Sequence, residues 1–506
     1  MKRFLLIPLL LGLVLPVTML ADEAQMKPSE KRGYCDNGQF YSQQAIAALA
    51  PGVTWTYNWA VNPGRQPENL GGADCDINFA PMCWNGNWNA GQLTTYLANN
   101  SGTRFLLGFN EPNFSSQANM TPAQAAEKWP ELEAYAEQYG TALVSPALNF
   151  SGERVGGRVW QPVDWLDAFI LEYNNLYDKD PRMDYIALHC YMDYATAVDW
   201  YVNKYLYVDN YNNNYPNLKR YFDEHGKTPM LLTEFCSWEN NNNNLTPDFQ
   251  IQSRVEKLQV LELSEHVAGY CWFMAHGNNN YGYPYYRLFE NNNDDSPLTR
   301  LGTIYVYCSA FDKACFFAPG QRIAAKDYIY MSGGKIDLNT DPESDTKIEF
   351  REFNTVDRGS ASARYQVNLP QDGYYDISLR LNLSQGQEAA FSVMSNNELV
   401  GEHTYVAPLD GWQTCKVWVQ LDNGPHSLEI VNSSSDPCGF NWFQLDYQGI
   451  SDVNKLTAEP QPVSVEYYNL QGQRTQTPQP GICIVVTNMS DGNASSWSGL
   501  LTRAIT

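Results

Sequence analysis

A (β/α)8 TIM barrel of the α/β class, followed by a β-sandwich and a small C-terminal module, is the architecture this 506-residue sequence predicts. Three observations carry it. Short apolar runs alternate with helix-like or polar stretches between Lys31 and about Cys315. Helical patterning stops after Phe317, where alternating strands take over. Beyond Ile450 the chain turns polar and rich in Pro and Gln.

The apolar runs number eight: Arg32–Cys35, Val53–Trp59, Ile77–Trp84, Arg104–Asn110, Ala142–Leu148, Tyr185–Tyr191, Met230–Phe235 and Tyr270–Met274. Helical stretches such as Pro122–Tyr139, with Pro130 inside it, and Pro247–Glu265 separate them. Continuous apolar strands interleaved with amphipathic helices describe a parallel sheet covered on both faces. Eight such repeats suit a barrel of about 250 residues, although an open α/β sheet uses the same strands. The expected units are a signal peptide at 1–21, a catalytic barrel at 31–317, a β-sandwich at 319–449 and a tail at 450–506.

In the second unit the strands read SARYQVNLP, GYYDISLRLNL, AAFSVMS, TCKVWVQLD, HSLEIVN and FNWFQLDY, with turn residues at short intervals. That is sandwich patterning. The tail carries VEYYNLQGQR and GICIVV, read as a terminal hairpin module or sorting tail with little core potential.

At the N-terminus Lys2-Arg3, the apolar run Phe4–Val14 and Ala21 form a signal-peptide pattern, which implies a secreted, periplasmic or cell-surface protein. No later segment is a membrane-span candidate. The eleven cysteines leave at least one unpaired; Cys308/Cys315, Cys75/Cys83 and Cys415/Cys438 are locally plausible disulfides. Cys190, Cys236 and Cys271 sit in apparent strands as small buried hydrophobes. Neither CxxC nor HExxH occurs, so no metal site and no cofactor is predicted.

Net charge is −23, which disfavours nucleic acid and acidic polysaccharides as partners. A neutral polysaccharide meets no such repulsion. The 33 Tyr, 21 Phe and 14 Trp, against 18% charged residues, suit sugar rings stacking on aromatic faces, and suit an aromatic-rich core equally. Oligomeric state is not legible.

A barrel places its chemistry at the C-terminal strand ends. Glu111 follows FLLGFN and precedes the strand-stopping Pro112; Glu234 follows MLLT. They fall at the ends of the fourth and seventh strands. Facing carboxyls can divide glycosidic chemistry, one protonating the leaving oxygen and the other attacking the anomeric carbon. A lone strand-end Glu more commonly pairs with an Arg; two at compatible ends, one preceded by Asn, favour the catalytic reading.

Asn110-Glu111-Pro112 resembles the signature ending the fourth strand in the large clan of (β/α)8 retaining glycosidases. More narrowly, the ordered set LLGFNEPN, VSPAL, WLDAF, DYIALHCY and LLTEF resembles glycoside hydrolase family 128, whose members are β-1,3-glucanases. The resemblance covers residues 31–315. It implies a retaining β-1,3-glucanase with Glu111 as acid/base, Glu234 as nucleophile and Asn110 on the sugar 2-hydroxyl; endo action is the leading expectation, with exo action open. Another β-glycanase, a transglycosylase, or a glycan-binding surface protein without turnover stands as the alternative. Through the match His189 and Tyr191 contact the sugar or orient Glu234, and Trp272 floors the cleavage point. Trp59, Trp84 and Trp238 build further subsites, or serve as core residues capping the barrel. Asn-rich tracts at 240–244, 278–280 and 291–293 flank the expected mouth, with Tyr281, Tyr283, Tyr285 and Tyr286, as sugar contacts or as loop filler.

Residues 324–447 resemble carbohydrate-binding module family 6, through VDRGSASARYQVNLPQDGYYDISLRL, GWQTCKVWVQL, GPHSLEIVN and NWFQLDY. The match makes Trp412 and Asn441 candidate glycan ligands. Lys326, where that family usually has an acid, argues against its structural calcium; a sandwich that only supports the barrel is the alternative.

Overall fold

The computed structural model describes residues 23–65, 77–193, 195–237, 246–277, 285–354 and 360–450, together with the strands of a terminal sheet. The predicted signal peptide, Cys75, Trp238, Tyr281, Tyr283 and the Asn tracts at 240–244 and 278–280 lie outside the described residues. No helix among those described is long and apolar enough to cross a membrane.

All eight predicted strands form: β1 (Arg32–Cys35), β2 (Trp55–Tyr57), β3 (Asn78–Phe79), β4 (Phe105–Leu107), β5 (Ala142–Val144), β6 (Ile186–Cys190), β7 (Met230–Phe235) and β8 (Val267–Phe273). Helices α1 (Gln43–Leu49), α2 (Ala90–Asn99), α3 (Pro122–Tyr139) and α4 (Pro162–Tyr177) follow β1, β3, β4 and β5. After β6 come α5 (Ala195–Trp200), a π-helical stretch Tyr201–Asp209 and α6 (Pro216–His225); α7 (Pro247–Leu263) and α8 (Arg300–Tyr307) complete the set. Their starts are encoded locally. Thr121 and Gln124 form a reciprocal capping box ahead of Pro122, and Thr246 and Thr299 cap α7 and α8. Pro130 does not end α3, which runs unbroken to a left-handed Gly140 cap.

The parallel ladder is in two pieces. One sheet has the order β3-β2-β1-β8-β7-β6, and β4 with β5 make a separate pair. Isolated parallel bridges span both seams: Met82 to Leu107 on one side, and Val144 to Tyr185 with Leu148 to Leu188 on the other. The break has a local cause. Strands β3, β4 and β5 are only two or three residues long, and Pro146 lacks the amide donor that would continue β5. Hydrogen bonds such as Ser145 N to Tyr185 O (2.9 Å) and His189 N to Leu148 O (2.9 Å) still carry the chain across the seam.

The C-terminal region is all β. Strands 335–338, 348–353, 438–449, 373–383 and 411–421 make one antiparallel sheet, joined by 322–324; strands 330–332, 361–369, 424–432, 388–395 and 398–406 make another. Alternating burial along 361–369 and 411–421 sends every second side chain inward, and Tyr365 meets Phe443 of the other sheet at 4.6 Å. Lys326 pairs with Asp327 at 2.5 Å. Two clasps bind this region to the helices: Gln259 of α7 exchanges two hydrogen bonds with the Met331 backbone, and Arg300 of α8 holds both oxygens of Asp337. The tail is more than a hairpin, with four antiparallel strands within 462–501.

Two sequence expectations are corrected here. Cys308, Cys315, Cys415 and Cys438 are all free buried thiols, as is Cys83, so neither local pair among the described residues forms a disulfide. Asn441 is not a surface ligand: it is 1% exposed, donates to Asp341 (3.0 Å) and accepts from Thr346 (3.0 Å). Asp341 in turn grips Arg380 through two hydrogen bonds. The bulge that displaces 438–449 against 373–383 turns Asn441 into this polar cluster. Trp412 is half-buried opposite Asn382, its indole N–H covered and, among the described residues, without a hydrogen-bond partner.

Candidate active site

The two predicted carboxylates meet at the C-terminal strand ends. One oxygen of Glu111, one of Glu234 and a ring nitrogen of His189 all lie within 4.8 Å of one another. His189 Nδ1 is 2.8 Å from Glu111 Oε1 and 3.3 Å from Glu234 Oε2. All three side chains are buried.

Backbone irregularities aim them. Leu188 of β6 pairs with Leu232 of β7, yet His189 pairs with Glu234, so Thr233 is an extra residue in β7. The ladder to β8 slips at the same place, from Tyr270–Leu232 to Trp272–Phe235. Such a bulge re-aims the following side chain, and here it brings Glu234 beside His189. The Tyr57 hydroxyl sits 3.1 Å from the Thr233 carbonyl and 3.0 Å from Glu234 Oε1. Glu111 and Trp59 hold left-handed backbones, at φ 43° and 61°, a conformation costing roughly 1–2 kcal/mol for a residue with a Cβ. Both stand at the mouth, where strain is tolerated because the surrounding contacts fix it.

Glu234 collects donors. Trp59 Nε1 gives Oε1 a second hydrogen bond at 2.9 Å, and the Tyr191 hydroxyl donates to Oε2. Glu111 receives Asn149 Nδ2 at 3.0 Å and His189, both on Oε1; among the described residues no donor reaches its Oε2. Burial raises the Glu234 pKa above the usual carboxylate range, and the Glu111 charge adds to that, against the opposing pull of His189, Tyr191 and Trp59. Burial works against the His189 imidazolium, but the Glu234 charge and the Glu111 hydrogen bond outweigh it and hold that pKa high. The three ligand atoms could bracket a cation, but the indole, phenol and amide donors aimed at the same oxygens suit an anion.

Asn110 is buried beside Glu111, its Nδ2 3.4 Å from Gln117 and its Oδ1 covered and, among the described residues, without a partner. Trp84 contributes through its backbone: its carbonyl accepts from Asn110 N at 2.9 Å, and its ring is half-buried against the core.

Trp272 does not floor the site. It is 1% exposed, lies under the Arg254 guanidinium at 3.3 Å and donates to the Tyr286 carbonyl. Arg254 belongs to α7 and Tyr305, another ring neighbour, to α8, so Trp272 points outward into the sheet–helix layer. Alternation along β8 gives the mouth to Phe273 instead, whose ring is 5.9 Å from Trp59 and 5.6 Å from Tyr191. Trp272→Ala should therefore cost about 3–5 kcal/mol of stability, seen as a lower urea midpoint. An inactive variant with an unchanged midpoint would contradict this placement.

Sequence reading missed Tyr57, Asn149 and Phe273. Each had a signal: Tyr57 ends β2 two residues before the candidate Trp59, Asn149 directly follows SPAL, and Phe273 neighbours the chosen Trp.

Paired buried carboxylates, separated by one imidazole and ringed by donors, define a glycosidase-type centre. The sequence places the chain in that class: residues 34–305 match the family model described as the glycosyl hydrolase catalytic core, and the chain belongs to that family. Within it the chain is a member of glycoside hydrolase family 128. It is 32% identical to a subgroup II endo-β-1,3-glucanase of that family from Pseudomonas viridiflava, covering 55% of this chain and 98% of that one, with a TM-score of 0.44. A second subgroup II endo-β-1,3-glucanase, from Sorangium cellulosum, is 30% identical over 55% of this chain and 97% of its own, with a TM-score of 0.40. Sequence identity across nearly the whole of those domains, rather than the superposition, carries the assignment. A curated relative, alkali-sensitive linkage protein 1 of Schizosaccharomyces pombe, is 25% identical over 290 residues, 55% of this chain; the chain spans 43% of its length.

Proposed function

We propose that the protein is an exported, endo-acting β-1,3-glucanase that cleaves with retention. The observation that carries the mechanism is that the nearest oxygens of Glu111 and Glu234 lie within 4.8 Å of each other, both reached by His189 Nδ1. An inverting pair needs about 6.5–9.5 Å to admit a water, a retaining pair about 5–5.5 Å. The substrate rests on the two relatives of at least 30% identity, both described as endo-β-1,3-glucanases.

In this reading Glu234 attacks the anomeric carbon while Glu111 protonates the departing glycosidic oxygen. A glycosyl-enzyme ester forms; Glu111, now ionised, takes a proton from water as that water attacks the same carbon, and Glu234 leaves. Tyr57, Trp59 and Tyr191 hold the nucleophile in one rotamer. His189 spans both carboxylates and offsets their charge. Asn110, buried beside Glu111, is the residue placed for the sugar 2-hydroxyl, and Phe273 with Trp59 forms the apolar wall.

The fold reading goes with it. The eight parallel strands act as a barrel over residues 31–317, supported by the bridges at both seams. Residues 319–449 act as a β-sandwich that keeps polysaccharide near the barrel, with the half-buried Trp412 on its edge strand, and residues 1–21 direct export.

The test is time-resolved proton NMR of the products from a linear β-1,3-glucan. Oligosaccharides whose new reducing ends first appear as the β-anomer are expected. First appearance of the α-anomer would overturn retention, release of glucose alone would overturn endo cleavage, and no product would overturn the substrate.

A further inference from the structure

Next to Asn149, the donor to Glu111, the chain exposes an aromatic ring: Phe150 is 40% exposed. Its surroundings are built. Asn113 Nδ2 donates to the Asn149 carbonyl (2.7 Å) and to the Trp160 carbonyl (3.1 Å), tying the loop after β4 to the loop after β5. Phe150 N bonds Asn149 Oδ1 at 2.8 Å, and on the far side Gln161 Nε2 holds the Ser151 carbonyl at 3.2 Å. Glu153 adds a second tie between the loops, accepting from both Ser115 and Ser116 hydroxyls.

One side of the ring is supported by the π-helical stretch. Tyr205 lies 5.3 Å and Tyr201 6.0 Å from Phe150, and the two tyrosines stack on each other at 5.3 Å and 6°. Both tyrosines are buried. Tyr201 also donates to the His189 carbonyl at 2.8 Å, linking this support to the catalytic cluster. π-Helical turns recur at functional sites. A ring backed on one side, pinned by its neighbours and open on the other is a stacking surface and not a stray exposed hydrophobe.

Its position names the occupant. The acid must touch the glycosidic oxygen, so the sugar attached to that oxygen departs on the side of Glu111. The Glu234 side is already walled by Tyr57, Trp59 and Phe273. We propose that Phe150 is the platform on which the leaving-group portion of the glycan stacks, and that it sets how well the enzyme uses chains extending past the cleavage point. This rests on the retaining β-1,3-glucanase reading above.

The experiment compares kcat/KM on two substrates for wild type, Phe150→Ala and Phe150→Trp. One is a linear β-1,3-glucohexaose; the other is the β-fluoride of β-1,3-glucotriose, whose leaving group is too small to reach the platform. Phe150→Ala should lose about tenfold on the hexaose and keep wild-type kcat/KM on the fluoride, and Phe150→Trp should restore the hexaose value. Equal losses on both substrates, or no loss on the hexaose, would overturn the platform while leaving the glucanase intact. A wild type inert on both substrates would overturn the glucanase reading itself and the platform with it.

Discussion

Glu234→Ala is expected to abolish glucan hydrolysis, with a loss on the order of 10⁴–10⁶-fold in kcat, the scale seen when a nucleophile is deleted from a catalytic unit. The two hydroxyls bonded to it cannot replace it. Tyr191 and Tyr57 are phenols whose pKa values burial pushes well above normal, with the Glu234 charge adding to the rise, so neither is a usable anion near neutrality. The fold should survive, because Glu234 is an electrostatic burden there. Burial raises its folded pKa above the unfolded value, so the unfolded chain releases the proton more readily. Stability is therefore lost as pH rises from the ordinary carboxylate range through that raised value. Glu234→Gln keeps the hydrogen-bonding shape without the charge, and should melt at a higher temperature than wild type at neutral pH. Residual activity near wild type in either variant would sink the nucleophile assignment.

Glu111→Ala should behave differently from Glu234→Ala, and the contrast is the informative part. On a natural glucan, whose leaving sugar alkoxide needs a proton, the loss should be about 10²–10⁴-fold. On an aryl glycoside with an acidic phenol as leaving group, the first step no longer needs that proton. A burst of phenol followed by slow turnover is expected, because Glu111 is still missing as the base for the second step. Azide, which attacks without a base, should speed that slow phase and give a glycosyl azide. A uniform loss on both substrates, unrelieved by azide, would show that Glu111 acts only by holding His189 and Asn149.

The two carboxylates were legible in the sequence because a strand-ending Asn-Glu-Pro and a strand-ending Thr-Glu-Phe each combine an apolar run with an abrupt stop. The choice of Trp272 went wrong for a reason that sequence does not display. Adjacent residues on a strand face opposite sides, and whether Trp272 or Phe273 faces the mouth depends on register, which the Thr233 bulge resets between β7 and β8. Tyr57 escaped notice for the opposite reason: a buried aromatic on a core strand looks like packing until its hydroxyl is seen against Glu234. Asn441 was a candidate ligand only through the resemblance to carbohydrate-binding module family 6; in this chain a bulge and the Asp341–Arg380 pair draw it in. The two-piece ladder followed from strand lengths of two or three residues, below what hydrophobic runs of seven or eight suggest.

Nine thiols, all reduced and all buried, are a further property of this chain among the described residues. None of these nine is tied into a disulfide, so the packing they take part in needs no oxidant to form. Unfolding is where the surroundings matter. Burial suppresses ionisation of Cys83, Cys236 and Cys438, each raised beyond its ordinary range, and a thiol that stays protonated is chemically quiet. Once the chain opens, those thiols regain ordinary acidity together and become open to oxidation. Durability of this fold is then a matter of how seldom it opens, since each opening exposes thiols that an oxidant can cross-link.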